Sequence, residues 1–322
     1  MKKILRNVLV LALGLTTTIA TAQIGASNTT WIDNTDSDAR DGNSRTTITA
    51  DWGGVHVSSD WNYSLNSDNA SSGLSLYEAY ASTDLMGFGT LTMGQQDLSY
   101  GSGSLIGSNG GVVSARNTTQ GVNLNMSLAG LDITAGMLDL NNNTTYMNAS
   151  GSFAGADINV LMMNKEDGSK AHSYDLSYGM GDFSVGASMN SDFDGDEMTS
   201  YSVTYSGIDN LGISVAQTEM KSDNGGVFNS AYSAANLGFA YGGGPVLGRG
   251  DKNTSMGISY NLGDISIGYT RHTIANDNAA DDVEANQMTL GYQLNGNAGL
   301  SVSRWDSGDG NENTWLTVTI TP

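Results

Sequence analysis

The sequence predicts an all-β chain folded as a transmembrane antiparallel β-barrel of 16 to 18 strands. Apolar residues recur at every second position in almost every segment, and no helical periodicity is sustained. The residues between them are Ser, Thr, Asn and Gly, not Lys or Glu. A soluble sandwich needs charge on its outer face, whereas small neutral side chains suit a barrel interior that encloses water and the apolar face suits lipid. Closing the sheet on itself also pairs every backbone N–H and C=O in a medium without water.

Composition narrows the chemistry. The 322 residues include 42 glycines, 2 prolines and no cysteine, so disulfides, thiolate nucleophiles and cysteine-based metal sites are excluded. With 33 Asp and Glu against 13 Lys and Arg, the net charge of −20 excludes nucleic acid, which demands clustered basic side chains.

The chain opens with a basic start (Lys2, Lys3, Arg6), an apolar run from Val8 to Leu15, and Ala20-Thr21-Ala22. This reads as a secretory signal peptide, residues 1–22, cleaved before Gln23; the run is too short to span a bilayer. Residues 23–322 form one barrel domain, whose first strand is the weak segment from Ile24 to Ile32. Tight turns follow at Gly53-Gly54, Met86–Gly89, Ala129-Gly130, Ala154-Gly155, Met180–Asp182, Gly207–Leu211, Gly263-Asp264 and Asn295–Asn297. Longer polar connections alternate with them, at 33–43, 64–73, 98–114, 140–144, 165–172, 191–198, 221–253, 275–286 and 306–313. Together they delimit 18 strands, or 16 if weak segments fail, with both termini in the periplasm and the long loops outside. Met256, Ile258, Tyr260 and Leu262 alternating with Ser255, Gly257, Ser259 and Asn261 show the pattern at its clearest. Trp52, Trp61, Tyr201, Tyr205 and Trp315 are candidates for aromatic girdles at the membrane interfaces.

The stretch YEAYASTDLMGFGTLTMGQQDLSYGSG, residues 77–103, resembles the strand–turn–strand signature of Gram-negative general porins, in which F-G-x-x-x-x-G-R-Q leads into the loop that folds into the pore. VVSARNTTQGVNLNMSLAGLDITAGML, residues 112–138, is similar to the strand that follows that loop. The phrase GQQDLSYGSGSLIG also resembles the alginate-export family of 18-stranded channels, and both readings stay open. Gln95 or Gln96 stands where porins carry an arginine, and the chain ends in Thr321-Pro322 without a terminal aromatic.

The resemblance implies an outer-membrane porin: a passive channel for small hydrophilic solutes and ions, usually a homotrimer, embedded among lipid and lipopolysaccharide. The third loop, Ser99 to Ala115, is the candidate constriction; it is uncharged, and Asp97 at its entry, Arg116 at its exit and Arg45 on the second strand supply the nearby charge, with Tyr100 and Ser104 lining it. The acidic balance predicts weak cation preference. Asp192, Asp194 and Asp196 alternate as oxygen ligands of divalent cations do, as do Asp36, Asp38 and Asp41, but neither run completes a calcium-loop pattern, and a solvated acidic surface is the competing reading. His56, near a turn, His172, in a loop, and His272, at a strand end, sit in no nucleophile-elbow or zinc context, so the reading is no enzyme, no cofactor and no resident metal. Alternatives are a substrate-specific channel of the oligosaccharide or alginate type and a surface adhesive β-protein. Fixed-length repeats would mark a β-solenoid, and none occurs.

Protein extracted from outer membranes should have the intact mass of a chain starting at Gln23; material that retains residues 1–22 would overturn the leader assignment.

Overall fold

The computed structural model describes residues 23–33, 42–65, 72–107, 118–138, 143–221, 232–233, 247, 250–276, 282–306 and 312–321. The leader (1–22), Arg116 and the acidic run Asp36–Asp41 lie outside them.

The strands run in chain order as β1 (Gln23–Asp33), β2 (Gly42–Trp52), β3 (Val55–Ser64), β4 (Ser72–Asp84) and β5 (Thr90–Gln96). A two-residue strand, β6 (Ile106–Gly107), precedes β7 (Thr119–Leu128), β8 (Leu131–Leu138), β9 (Thr144–Phe153), β10 (Ala156–Asn164) and β11 (Lys170–Met180). Next come β12 (Phe183–Ser191), β13 (Glu197–Ile208), β14 (Leu211–Lys221) and a second two-residue strand, β15 (Tyr232–Ser233). β16 (Asp251–Leu262), β17 (Ile265–Asn276), β18 (Val283–Asn295), β19 (Ala298–Asp306) and β20 (Glu312–Ile320) complete the order.

All but the two short strands form one 18-stranded antiparallel sheet in which each strand pairs with its sequence neighbours. Trp31 of β1 lies opposite Asn43 of β2 on one side and Thr317 of β20 on the other, so first and last strands meet and the sheet closes. The barrel therefore has 18 strands, the larger of the two numbers read from the sequence. Among the described residues no helix is long and apolar enough to cross a membrane, so any crossing falls to the strands.

The period-two pattern becomes an inside and an outside. On β16, Met256, Ile258, Tyr260 and Leu262 are exposed on the outer wall, while Asn253 on the alternate parity is buried. The same alternation leaves Leu74, Leu76, Val203, Ile213, Val215, Leu290 and many others bare on the exterior, an apolar surface far larger than water tolerates and suited to hydrocarbon. Strand parity corrects three sequence assignments. Trp315 pairs with inward Ser303 beside buried Thr317, so it joins the interior wall, not an outer girdle. His172 belongs to β11, paired with outward Met162, because the connection there is a tight turn ending at Ser169 and not a loop to 172. His272 lies within β17, pointing inward.

The buried apolar side chains lie inside the barrel toward the long-loop end. Leu105 and Ile106, from the segment after β5, pack against Leu138, Tyr146, Leu161, Met163 and Ala171 of β8 to β11. Leu247, from the segment before β16, packs on Met198, Met220 and Ile274.

One irregularity positions the segment that follows β5. The β3–β4 register shifts between Ser58 and Ser59, and the extra residue on β4 turns both Tyr77 and Glu78 inward. Gly94 of β5 faces this bulge with φ +137°, and a Cβ there would sit 2.2 Å from the Ala79 carbonyl oxygen and 2.7 Å from the Tyr80 Cα. Gly94→Ala should lower stability by about 1–3 kcal/mol through backbone strain, lowering the temperature at which the folded gel band converts. Gly296→Ala, with open space around it, should leave that temperature in place.

Candidate functional site

The site grows from the end of β5. The bulge leaves two β4 carbonyls without ladder partners, and the Gln95 amide donates to both, Leu76 O at 3.1 Å and Tyr77 O at 2.8 Å, and to Thr118 Oγ1 at 2.9 Å. Gln96 turns inward, where its Oε1 accepts from Asn123 Nδ2 at 2.8 Å. The two glutamines in place of the expected arginine thus tie the wall together and add no charge. At the root of the segment the Tyr77 hydroxyl donates to Asp97, whose own N–H donates to Glu78 Oε1 at 3.1 Å.

Beyond Asp97 the chain turns into the lumen. Tyr100 N donates to Ile106 O at 3.1 Å and Gly103 N to Tyr100 O at 2.9 Å, closing a compact turn. Burying Leu105 and Ile106 against the wall contributes roughly 1.5–3 kcal/mol each. Tyr100 leans on Tyr146, ring centroids 5.6 Å apart and hydroxyls at 3.2 Å, and burial pushes its phenol pKa up. Ser104 is buried and bonded to Ser102, which also reaches Asn190 Oδ1 at 3.4 Å. At the tip, a Cβ on Gly101 would lie 1.9 Å from Asp175 Oδ2, so the backbone rests on that carboxylate in a way only glycine allows. Ile106 and Gly107 then pair in parallel with Tyr232 and Ser233.

Of the residues read from the sequence, Asp97, Tyr100 and Ser104 sit on this one inward segment. Arg45 is elsewhere, on β2, its guanidinium 4.9 Å above the Trp31 ring and buried in the wall. Arg116 lies outside the described residues. Asp192 Oδ1 accepts the N–H groups of Asp194 and Asp196, each at 2.9 Å, which folds the acidic run into a turn. Among the described residues no three His, Asp or Glu side chains are placed to hold a metal ion.

Other side chains of the site were not singled out in the sequence. His56, weighed in the sequence only for catalysis, bridges Asp51 (2.7 Å) and Glu78 (3.4 Å), neither of them singled out there, and stacks on Tyr80, centroids 4.8 Å apart. Asp175 receives Ser173 Oγ at 2.8 Å, Ser188 Oγ at 2.7 Å and Asn159 Nδ2 at 3.4 Å, and Ser152 donates to Asp157. Their signal was strand parity: Asp157 and Asn159 alternate with outward Ile158, and Asp175 and Ser177 with outward Leu176.

Charge is unevenly spread around and along the barrel. By parity Asp51, Asp60, Glu78, Asp84, Asp132, Asp157 and Asp175 face inward on β2 to β11, and Arg45 is the one arginine or lysine that does so among the described residues. From β12 to β20 the described strand residues that face inward include one carboxylate, Asp251 at the rim, and the turn between β12 and β13 buries two more, Asp192 and Asp196. Every described lysine and arginine stands on the long-loop side of its strand or in a turn at that end, while an aspartate stands within two residues of every tight turn but the last.

No family model matches the chain, and no curated protein matches it in sequence. Solved structures match in fold. *Pseudomonas aeruginosa* OpdK crystallised with vanillate aligns with TM-score 0.71 at 13% identity, over 95% of this chain and 100% of that one. OpdQ of the same organism aligns with TM-score 0.69 at 14% identity, over 94% and 97%, and *Acinetobacter baumannii* OccAB2 with TM-score 0.68 at 11% identity, over 94% and 98%. OpdK is described as an outer membrane protein. The porin-like fold expected from the sequence resemblance is the fold observed.

Replacing Leu105 and Ile106 together with Ala should remove about 2–5 kcal/mol of anchoring per side chain. Hydrogen exchange at the Tyr100 and Gly103 amides should then accelerate while the β7 to β11 ladder stays protected; unchanged exchange would mean that the turn holds without these anchors.

Proposed function

We propose that the chain is exported by its leader to the outer membrane and works there as a passive channel for small hydrophilic solutes and ions, weakly preferring cations. The observation that carries this reading is a closed 18-stranded barrel whose inward wall is rich in small polar side chains and into which the segment from Asp97 to Gly107 folds. The lumen wall of Ser, Thr, Asn and Gly solvates a permeant without binding it tightly. Asp97, Tyr100 and Ser104 set the constriction; Arg45, buried on β2 over Trp31, stands apart from it, and Arg116, which follows this loop in the sequence, is the candidate basic side chain. The inward carboxylates on β2 to β11 supply a potential that attracts cations.

No step of chemistry is assigned. The His56 ring is occupied by Asp51, Glu78 and Tyr80, His272 lies against Asn253 and Trp305, and His172 faces outward, an arrangement that suits wall residues better than a nucleophile and its base. The acidic run forms a turn in which Asp192 and Asp196 are buried and Asp194 is exposed, and Asp192 Oδ1 is engaged by backbone N–H groups, so it holds divalent cations at most loosely. Lipid and lipopolysaccharide surround the barrel. Toward the long-loop end the outward parity of β1 and β2 carries Asn28, Thr30, Ser44 and Thr46 bonded to one another, while Ile24, Ile48 and Trp52 are exposed nearer the tight-turn end, and this mixed face is where copies would pack in a homotrimer. A substrate-specific channel is the second reading, favoured by the cavity beside Gly101 and Asp175.

In a planar bilayer with a tenfold KCl gradient, the zero-current potential should take the sign of potassium selectivity but stay below the ideal limit. The preference should shrink as salt rises and the Debye length falls from about 10 Å at 0.1 M to about 3 Å at 1 M. A potential of opposite sign would overturn the cation preference; a folded, inserted barrel that passes no current would overturn the channel.

A further inference from the structure

Between the loop tip and the tight-turn end, β9 to β14 line a partly open cavity of about 590 Å³ that Gly101 and Ser102 border. Its volume is that of a small-molecule site. Asp157 and Asp175 line it together with hydroxyls such as those of Ser177, Ser188 and Ser202, and among the described residues no lysine, arginine or histidine does.

The two carboxylates are neighbours. Asp175 lies directly across from Asn159, and Asp157 across from Ser177, which places the acids on a diagonal of the β10–β11 ladder, about 7–8 Å apart between Cα positions. Both are held by neutral donors: Asp175 by Ser173, Ser188 and Asn159, and Asp157 by Ser152. Such bonds fix orientation without cancelling charge, and a carboxylate has about four lone-pair sites, so the set retains acceptor capacity toward the cavity. Two like charges at this spacing beside low-dielectric walls raise the local potential, and a cation entering the cavity relieves it. The turn rests on Asp175 through Gly101, so these acids lie directly beside the loop tip.

We propose, resting on the channel reading, that this cavity is a binding subsite for small solutes that carry a protonated amine together with hydroxyl groups. The ammonium donates charge-assisted hydrogen bonds to Asp157 and Asp175, which are stronger than neutral ones. The solute hydroxyls exchange hydrogen bonds with the serines, each of which both donates and accepts. Monovalent metal ions lack those directional donors. An anionic aromatic acid such as the vanillate bound to OpdK would be repelled here, so the shared fold serves the opposite charge class in this chain.

Glucosamine, glucose and glucuronate share a sugar ring and differ in charge, so they separate charge from size. Added to single channels in KCl at mildly acidic pH, where the glucosamine amine is protonated, glucosamine should block the current with residence times on the order of tenfold longer than glucose, and glucuronate should block least. Asp175→Asn and Asp157→Asn, which keep side-chain shape, should each bring glucosamine toward the glucose value. Asp264→Asn, at a tight turn outside the cavity, should not. Equal blockade by glucosamine and glucose, or glucosamine blockade surviving both cavity variants, would overturn the subsite. If the folded barrel passes no current, the channel reading itself fails. Calorimetric titration of glucosamine and glucose into the detergent-purified barrel then decides the subsite separately: preferential glucosamine binding that Asp175→Asn removes supports it, and no preference overturns it.

Discussion

Backbone hydrogen bonding without water is the constraint on which everything else rests. A strand in hydrocarbon has nowhere to place its N–H and C=O groups except on another strand, and the pairing of β1 with β20 leaves no open edge. Closure fixes two faces, and the faces fix composition. The exterior carries Leu, Ile, Val, Met and aromatics, and the interior is built from side chains small enough to leave room for water. The abundance of glycine follows in part from ladder geometry, where a Cβ at Gly121 or Gly136 would strike carbonyl oxygens of the neighbouring strand at 2.3 and 2.5 Å.

Where the ladder is interrupted, a side chain replaces it. The β4 bulge frees carbonyls that Gln95 captures, and the bulge turns Tyr77 and Glu78 toward Asp97. The root of the inward loop is thus held by hydrogen bonds to a rigid wall, while Leu105 and Ile106 hold its far side by apolar contact. Polar anchoring specifies direction, and apolar anchoring supplies most of the stabilisation.

Much of this was legible in the sequence because a strand has a period of two and tight turns use few residue types. The eight short connections and the closing strand pair follow from Gly-rich turn positions and alternation alone. Parity also carried more than was read from it. Trp315 alternates with Leu316 and Val318 and so belongs inside, and Asp157 and Asp175 alternate with apolar residues in the same way, although attention to acidic loop runs passed over them. The inward course of the third loop was expected from its order after the GQQD strand end. Its contacts were not legible, because Tyr100 with Tyr146, Gly101 with Asp175 and Ser102 with Asn190 join positions far apart in the chain. The role of Gln95 was hidden for the same reason: a bulge on the preceding strand, 18 residues back in the chain, cannot be seen from a glutamine.

Holding the inward turn at both sides divides the molecule into parts that can change at different rates. Residues 99–104 lie between the Asp97 root and the Leu105-Ile106 anchor, and they bear no ladder bond of the 18-stranded sheet. In the proposed channel a substitution there would alter what the lumen admits while the barrel keeps its closure, and length changes beyond Gly107 fall outside the clamped interval. On that proposal a lineage carrying this fold could retune its diet through six residues, with the sheet as an unchanging chassis.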